Sequence, residues 1–168
     1  DKQYCHCSVG YEWNTSQTLV SNMSNAFVDV NGDGLPDIVG AVFNSYSNGS
    51  PQANTIASVL INNGNGWTYD SSLTFPVAFG KKSGADGYRS FDDVGTRLAD
   101  VNGDGLVDVL RGYKDSSGTN VQMDETKVYI NKVNGWDSSS WLLPENFTSI
   151  GNSTGVNIVD VNGDKLPD

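Results

Sequence analysis

Short apolar runs separated by polar turns make up most of the chain. In the first half these runs lie at Ala26–Asp29, Asp37–Phe43, Ala57–Ile61 and Trp67–Phe75, and they are rich in Val, Ile, Leu and aromatic residues. Gly, Asn, Asp and Pro bound them, as they bound strands in general. No stretch shows a convincing helical period. The pattern therefore predicts an all-β protein built from short strands.

The same plan returns in the second half, where strands are predicted at Arg97–Asp100, Asp108–Gly112, Lys127–Ile130 and Trp136–Leu143. Four-stranded units of about 60–70 residues are typical of β-propeller blades. We therefore expect four-stranded antiparallel, blade-like repeat units, two of them full and a third only begun. The predicted boundaries are an N-terminal segment at 1–23, unit 1 at 24–94, unit 2 at 95–154 and the start of unit 3 at 155–168. Further chain or a neighbouring subunit is expected to complete the third unit.

Three nine-residue acidic segments mark the phase of the repeat. Asp29–Asp37 reads Asp-Val-Asn-Gly-Asp-Gly-Leu-Pro-Asp, and the pattern recurs at Asp100–Asp108 and Asp160–Asp168. We call these segments loop 1, loop 2 and loop 3. They hold nine of the 20 acidic residues of the chain. Because clustered carboxylates repel one another unless a cation joins them, the loops are candidate cation sites.

The spacing of oxygen-bearing residues in each loop matches the needs of a hard cation. Positions one, three, five and nine offer side-chain oxygens, position seven offers a backbone carbonyl, and glycines let the chain curl. Three carboxylates per site favour Ca²⁺ over a soft metal, and Mg²⁺ prefers a more compact octahedron. The predicted calcium ligands are Asp29, Asn31, Asp33, Leu35, Asp37, Asp100, Asn102, Asp104, Leu106, Asp108, Asp160, Asn162, Asp164, Leu166 and Asp168.

Two other interpretations of the loops explain less. An EF-hand needs a glutamate at position twelve between two helices, whereas Gly40 and Arg111 stand there and the flanks resemble strands. Simple Asn-Gly and Asp-Gly hairpin turns account for two residues per loop but not for three regularly spaced aspartates. Loop 3 has Lys165 where the other loops have glycine, so we expect its site to be weaker.

The segment 29–39 and the segment 59–67, which reads Val-Leu-Ile-Asn-Asn-Gly-Asn-Gly-Trp, resemble FG-GAP/VCBS-type repeats. The resemblance covers about residues 24–168, and the acidic loop is its most specific part. It implies the calcium-bearing β-propellers of integrin α-chains and similar repeats of secreted surface proteins, including Rhs-like and toxin-complex B-type subunits. In such repeats the ion is structural and lies in a strand-to-strand hairpin, a role that would fall here on loops 1, 2 and 3.

The net charge, hydropathy and glycosylation motifs of the chain indicate which partners and which location to expect. A net charge of −10 argues against nucleic-acid binding, because phosphates repel an acidic surface. Three calcium ions would add six charges and bring −10 to −4. No apolar stretch approaches the roughly 18 residues of a membrane-spanning helix. Asn-x-Ser/Thr sequons lie at Asn14, Asn22, Asn48, Asn146 and Asn152. They agree with an extracellular or cell-surface glycoprotein.

The cysteines near the N-terminus have no single interpretation, and the sequence offers few residues suited to catalysis. Cys5 and Cys7 flank the only histidine, His6, and disulfides, free thiols and a metal site are all open interpretations. No Ser/His/Asp or Cys/His arrangement can be assembled, and the adjacent Asp92 and Asp93 are more typical of a solvated turn than of a catalytic pair. The chain is therefore predicted not to be an enzyme.

The predicted function is that of an extracellular, calcium-stabilised structural or interaction module. Its expected partners are other copies of itself, in a filament or larger assembly, or other extracellular proteins. One alternative is a lectin-like or adhesive module that binds glycans through Tyr46, Tyr88 and Tyr113, which are predicted to lie in loops between strands. Another is a scaffold fragment of a toxin-type shell. Trp67 and Trp136 hold the same phase in each unit, which favours packing within the repeat over ligand contact.

Overall fold

The computed structural model describes residues 25–47, 50–83, 90–115, 125–149, 152–164 and 166–168. The described residues form strands joined by bends and irregular loops and contain no helix, so the predicted all-β class is confirmed. Among them there is no helix of the length and apolar character needed to cross a membrane.

The first sheet contains six strands from one repeat unit. They are β1 (Asn25–Val28), β2 (Asp37–Ser47), β3 (Ser50–Asn62), β4 (Trp67–Tyr69), β5 (Gly80–Ser83) and β6 (Ser90–Asp93). The order across the sheet is β4-β3-β2-β5-β6, and β1 also pairs with β2. All pairs are antiparallel except β2 with β5, which is parallel.

The second sheet repeats this topology strand for strand. It contains β7 (Thr96–Ala99), β8 (Asp108–Lys114), β9 (Glu125–Asn131), β10 (Trp136–Ser138), β11 (Thr148–Ser149) and β12 (Asn152–Ser153). Its order is β10-β9-β8-β11-β12, with β7 also paired to β8 and a parallel pair between β8 and β11. The first four strands of each sheet are those that the sequence predicts. The last two strands of each sheet are additional, and β4 and β10 are shorter than predicted.

One face of the first sheet packs against the second repeat unit. Val39 of β2 and Val59 of β3 are paired residues that point to this face, and both are fully buried. This is expected for a sheet with one covered face, because successive side chains of a strand point to opposite faces. They join a single core cluster with Phe75 and with Val109 from the second unit. The ring of Trp136 meets Phe75 edge to face, with centroids 5.2 Å apart. Trp136 therefore packs, as predicted, but against the other repeat unit rather than within its own.

The equivalent face of the second sheet lines an apolar groove of about 230 Å³. Its floor includes the buried residues Leu110, Val128 and Phe147, which form a cluster of their own. Leu110 and Val128 take the places that Val39 and Val59 occupy in the first unit. The groove is therefore the second unit's version of the face that receives Trp136 in the first.

The turn between β9 and β10 has backbone strain that the matching turn of the first unit avoids. Val133 has φ of 65°, a conformation that is unfavourable for a β-branched residue, whereas Gly64 holds the equivalent position with φ of 81°. Since the Val133 side chain is exposed, little burial is lost when it is removed. We expect Val133→Gly to raise the free energy of unfolding by about 1 kcal/mol in urea denaturation. Gly64→Val should lower it by a similar amount, and equal stabilities for all three proteins would contradict this assignment.

Candidate metal-binding loops

Loops 1 and 2 each close a β-hairpin of the sheet that contains them. Loop 1 joins β1 to β2, and its last residue, Asp37, is also the first residue of β2 and pairs with Val28. Loop 2 joins β7 to β8 with the same register between Ala99 and Asp108. In loop 3, the amide of Asp168 donates to the carbonyl of Val159 at 2.9 Å, which closes that loop in the same way.

The aspartate at position one accepts backbone hydrogen bonds across its own loop. Asp29 Oδ1 accepts from the amides of Gly32 at 2.7 Å and Asp33 at 3.2 Å, and its Oδ2 accepts from Gly34 at 2.8 Å. Gly32 and Gly34 have φ of 77° and 84°, a region that glycine enters at no steric cost. The equivalent amides in the other loops are those of Gly103 and Gly105, which donate to Asp100, and of Gly163, which donates to Asp160.

Positions three and five form a second set of local contacts. Asn31 Oδ1 accepts from the amide of Asp33 at 3.0 Å, and its Nδ2 donates to Asp33 Oδ2 at 3.0 Å. Asp33 Oδ1 accepts from the amide of Leu35 at 2.8 Å. Loop 2 repeats this arrangement with Asn102, Asp104 and Leu106, and loop 3 repeats its backbone contacts with Asn162, Asp164 and Leu166. Hydrogen bonds from the Leu106 amide and the Asn102 side chain lower the pKa of Asp104, so it is ionised at neutral pH.

The aspartate at position nine is buried and ties two hairpins together. Asp37 is 0% exposed; its Oδ2 accepts from Val30 at 3.0 Å within the loop, and its Oδ1 accepts from Asn62 at 2.7 Å at the end of β3. Asp108 is equally buried and does the same with Val101 and Asn131. Burial raises the pKa of both carboxyl groups, and the backbone hydrogen bonds oppose part of that rise.

Two asparagines outside the loops complete these contacts, and they were not among the predicted site residues. Asn62 Nδ2 donates to the carbonyl of Pro36 at 3.1 Å, beside a second hydrogen bond from Trp67 Nε1 to the same oxygen. Asn131 Nδ2 donates to Val107 at 3.2 Å and also to Val30 of loop 1 at 2.8 Å. The signal was the shared spacing of Ile-Asn and Trp in the two units.

The residue types of each loop fit calcium, although the side chains do not already form a cage. The predicted donors are carboxylate, amide and carbonyl oxygens, which is the hard donor set that Ca²⁺ binds. A carboxylate oxygen that accepts one N–H retains a further lone pair for a cation. Among the described residues, no three histidine, cysteine, aspartate or glutamate side chains converge closely enough to hold a metal ion. The loop carboxylates are instead turned toward backbone amides.

Of the three tyrosines suggested for glycan binding, Tyr113 is the one whose side chain the structure describes. Tyr113 lies on β8, which extends two residues beyond the predicted strand, and it is buried in a cluster with Ala78 and Val94. The prediction that it lies in an exposed loop is therefore wrong. Tyr46 is in β2 rather than in a loop, and Tyr88 lies outside the described residues.

Several other predicted features also lie outside the described residues. They are Cys5, His6, Cys7, Lys165 and the sequons at Asn14, Asn22 and Asn48. The two remaining sequon asparagines are placed near the second sheet. Asn152 is exposed in β12, and Asn146 is partly buried and accepts a hydrogen bond from Thr126 at 3.2 Å.

A comparison with protein-family models matches the FG-GAP-like repeat twice, at residues 29–111 and 100–168. Both matches begin at the first aspartate of an acidic loop, and together they span well over half of the chain. A search of curated proteins and a search of solved structures each found no match. FG-GAP-like repeats are structural and protein-interaction modules, typically extracellular, and not a family of enzymes. With two matched repeats and a sheet for each of two units, the chain belongs to the family of FG-GAP-like repeat proteins.

Proposed function

We propose that this protein is an extracellular structural and interaction module whose repeat units are stabilised by calcium bound in loops 1, 2 and 3. The observation that carries the proposal is the recurrence of one hydrogen-bonded loop conformation with the same oxygen donors at the same positions. In loop 1 the ion would be held by Asp29, Asn31, Asp33, the carbonyl of Leu35, and Asp37. Loops 2 and 3 would use the equivalent residues.

The charge of each loop supports a cation there. Asp29 and Asp33 lie in one short loop, and Asp37 is buried directly behind them with a raised pKa. Neither Asp37 nor its equivalent Asp108 forms an ion pair with a lysine or arginine in the described part of the chain. Calcium would supply the positive charge that these carboxylates lack. The backbone hydrogen bonds already shape each loop, so the binding free energy of the ion would add to their stabilisation.

Removal of calcium should therefore lower the thermal stability of the folded chain. An ion that binds only the folded state stabilises it by about 2.7 kcal/mol per site at a 100-fold excess over Kd. We expect a higher Tm in millimolar calcium than in EDTA, measured by circular dichroism. Asp104→Ala should lose part of the calcium-dependent increase, because position five contributes a ligand. Asp137→Ala, which removes an exposed aspartate outside the loops, should retain it. A wild-type Tm that is the same in calcium and in EDTA would contradict the proposal.

Association between copies is a second candidate role that a specific pair of surfaces favours. The outer face of the first sheet exposes Phe27 and Trp67, which are 63% and 38% accessible and meet edge to face at 6.4 Å. Trp67 is the repeat equivalent of Trp136, which packs on Phe75 inside the molecule. The groove of the second sheet is the equivalent of the face that Trp136 fills. We propose that the Trp67 face of one copy binds the groove of the next, a head-to-tail contact that builds a filament if it does not close.

Sedimentation velocity over a range of concentrations tests this association. The wild-type chain should form species larger than a monomer, and Trp67→Ser should remain monomeric because its apolar contact is lost. Val133→Gly removes an exposed apolar side chain from a turn outside both surfaces and should associate like the wild type. Monomers at every concentration, with and without calcium, would exclude the role. So would equal association by the Trp67→Ser variant.

A further inference from the structure

The acidic loops are in direct contact from one repeat unit to the next. A Cβ atom built on Gly32 of loop 1 would lie 2.9 Å from Leu106 Cδ2 of loop 2, and one on Gly103 of loop 2 would lie 3.1 Å from Leu166 Cδ2 of loop 3. The leucine at position seven of each following loop therefore rests on the glycine at position four of the loop before it. No side chain larger than glycine fits at Gly32 without moving Leu106.

A chain of buried hydrogen bonds joins loops 1 and 2 behind this contact. Asn131 is 1% exposed; its amide donates to Asp108 of loop 2 at 2.8 Å, and its Nδ2 donates to the carbonyl of Val30 in loop 1 at 2.8 Å. The amide of Val30 in turn donates to Asp37 at 3.0 Å. The position-nine aspartates of the two loops are thus connected through Asn131 and the backbone N–H and C=O groups of Val30.

We propose that loops 1 and 2 bind calcium with positive cooperativity, and that Leu106 and Asn131 are the positioning residues that couple them. This inference rests on the proposed function, because it assigns a coupling to those same sites. An ion in loop 2 would fix Leu106, which contacts Gly32 of loop 1, and Asp108, which holds Asn131 against Val30 of loop 1. Loop 1 then loses less conformational freedom when it binds its own ion. By linkage, an ion in loop 1 favours binding in loop 2 by the same factor.

The first unit offers matched controls for both coupling residues. Leu35 is the loop 1 equivalent of Leu106, but it lies beside Gly64 of its own unit, with Cδ1 4.0 Å from the Cβ position built there. Asn62 is the equivalent of Asn131, but its Nδ2 donates to Pro36 within the same unit. Substitution of Leu35 or Asn62 removes the same chemical groups and leaves the Leu106–Gly32 and Asn131–Val30 contacts in place.

Calcium titration calorimetry of single-loop variants measures the coupling. With loop 3 disabled by Asp160→Ala, the Kd of loop 1 is compared between chains with an intact loop 2 and chains carrying Asp100→Ala. We expect loop 1 to bind about 5-fold or more weakly when loop 2 is disabled. The reciprocal comparison with Asp29→Ala should give the same factor for loop 2.

Both Leu106→Ala and Leu35→Ala keep the backbone carbonyl of position seven, so the proposed ligands are unchanged. Leu106→Ala should bring this factor toward one, and Leu35→Ala should not. Asn131→Ala should reduce the coupling factor in the same way. Because Asn131 is buried, this variant could fail to fold; in that case the test rests on Leu106→Ala, since Leu106 is partly exposed. Calcium binding to both loops with no dependence of either on the other would overturn the coupling alone. A Leu35→Ala variant that loses the coupling as fully as Leu106→Ala would also overturn it. If no calcium binds at all, the coupling falls together with the proposed function.

Discussion

Replacement of Asp108 by alanine should lower the free energy of unfolding by about 2–4 kcal/mol even in the absence of calcium. The two oxygens of this fully buried carboxylate accept from the amides of Val101 and Asn131. Alanine leaves both amides without their acceptor. The expected loss is reduced somewhat, because burial raises the pKa of Asp108 and its ionisation at neutral pH costs stability. Urea denaturation in EDTA and in calcium measures the effect.

Two substitutions separate the structural role of Asp108 from its predicted role as a calcium ligand. Asp108→Asn keeps one acceptor oxygen and should cost about half as much as alanine. Asp104→Ala removes an exposed residue from position five of the same loop, so its cost in EDTA should be small and should grow when calcium is added. If Asp108→Ala were neutral in EDTA, position nine would matter only for the ion and the hairpin-tying role would be wrong.

Arg111→Ala should be the other strongly destabilising substitution, with an expected loss of about 2–4 kcal/mol. Arg111 is 3% exposed on β8, and its Nη1 donates to the carbonyl of Ala78 in the first unit and to Thr96 Oγ1, each at 3.0 Å. Its guanidinium also lies over the ring of Tyr113, 5.4 Å from the centroid. Alanine therefore removes a connection between the two repeat units and leaves a cavity.

The chain contains a comparison residue for Arg111. Arg97 pairs with Asp93 at 2.8 Å, but both side chains are about one-third exposed, so Arg97→Ala should cost only about 0.2–1 kcal/mol. Burial lowers the pKa of Arg111 to about 10, which still leaves it charged at neutral pH. Equal losses for the two alanine variants in thermal or urea denaturation would contradict the assignment of Arg111 as an inter-unit contact.

The sequence predicted the elements whose pattern is regular and missed those that tertiary contacts create. The first four strands of each unit have alternating apolar residues or acidic-loop boundaries, and the structure has strands there. β5 reads Gly-Lys-Lys-Ser and β6 reads Ser-Phe-Asp-Asp, so neither has an apolar period from which a strand can be predicted. They form because β2 offers a free edge for parallel pairing with β5. Such pairing depends on the fold rather than on local propensity.

The acidic loops show the same division between local and tertiary information. Their glycines and regularly spaced aspartates were sufficient to predict where the chain curls, and Gly32 and Gly34 adopt positive φ as the pattern requires. The difference between exposed Asp33 and buried Asp37 could not be predicted, because it depends on the amide of Asn62, 25 residues away. Tyr113 was misplaced for a related reason: β8 continues beyond Gly112 through its pairing with β9 and β11.

In this account two kinds of interaction stabilise the repeat: backbone hydrogen bonds to the loop aspartates and the binding of calcium. Hydrogen bonds to Asp37 and Asp108 fix the hairpins to the sheets. The carboxylates of positions one and five also accept backbone amides, but they keep further lone pairs that a cation could use. In this account calcium adds stability to loops that backbone hydrogen bonds have already shaped. Without calcium the protein would then be folded but have a lower free energy of unfolding. At extracellular calcium concentrations it would be more stable and its loops more rigid.

The most direct test of calcium binding is a count of bound ions by equilibrium dialysis of the folded, metal-stripped chain against millimolar calcium. We predict one ion for each of loops 1 and 2, a weaker one for loop 3, and the loss of one ion for each loop disabled by Asp29→Ala, Asp100→Ala or Asp160→Ala. A folded wild-type chain that binds no calcium under these conditions, or alanine variants that bind as many ions as the wild type, would contradict the account.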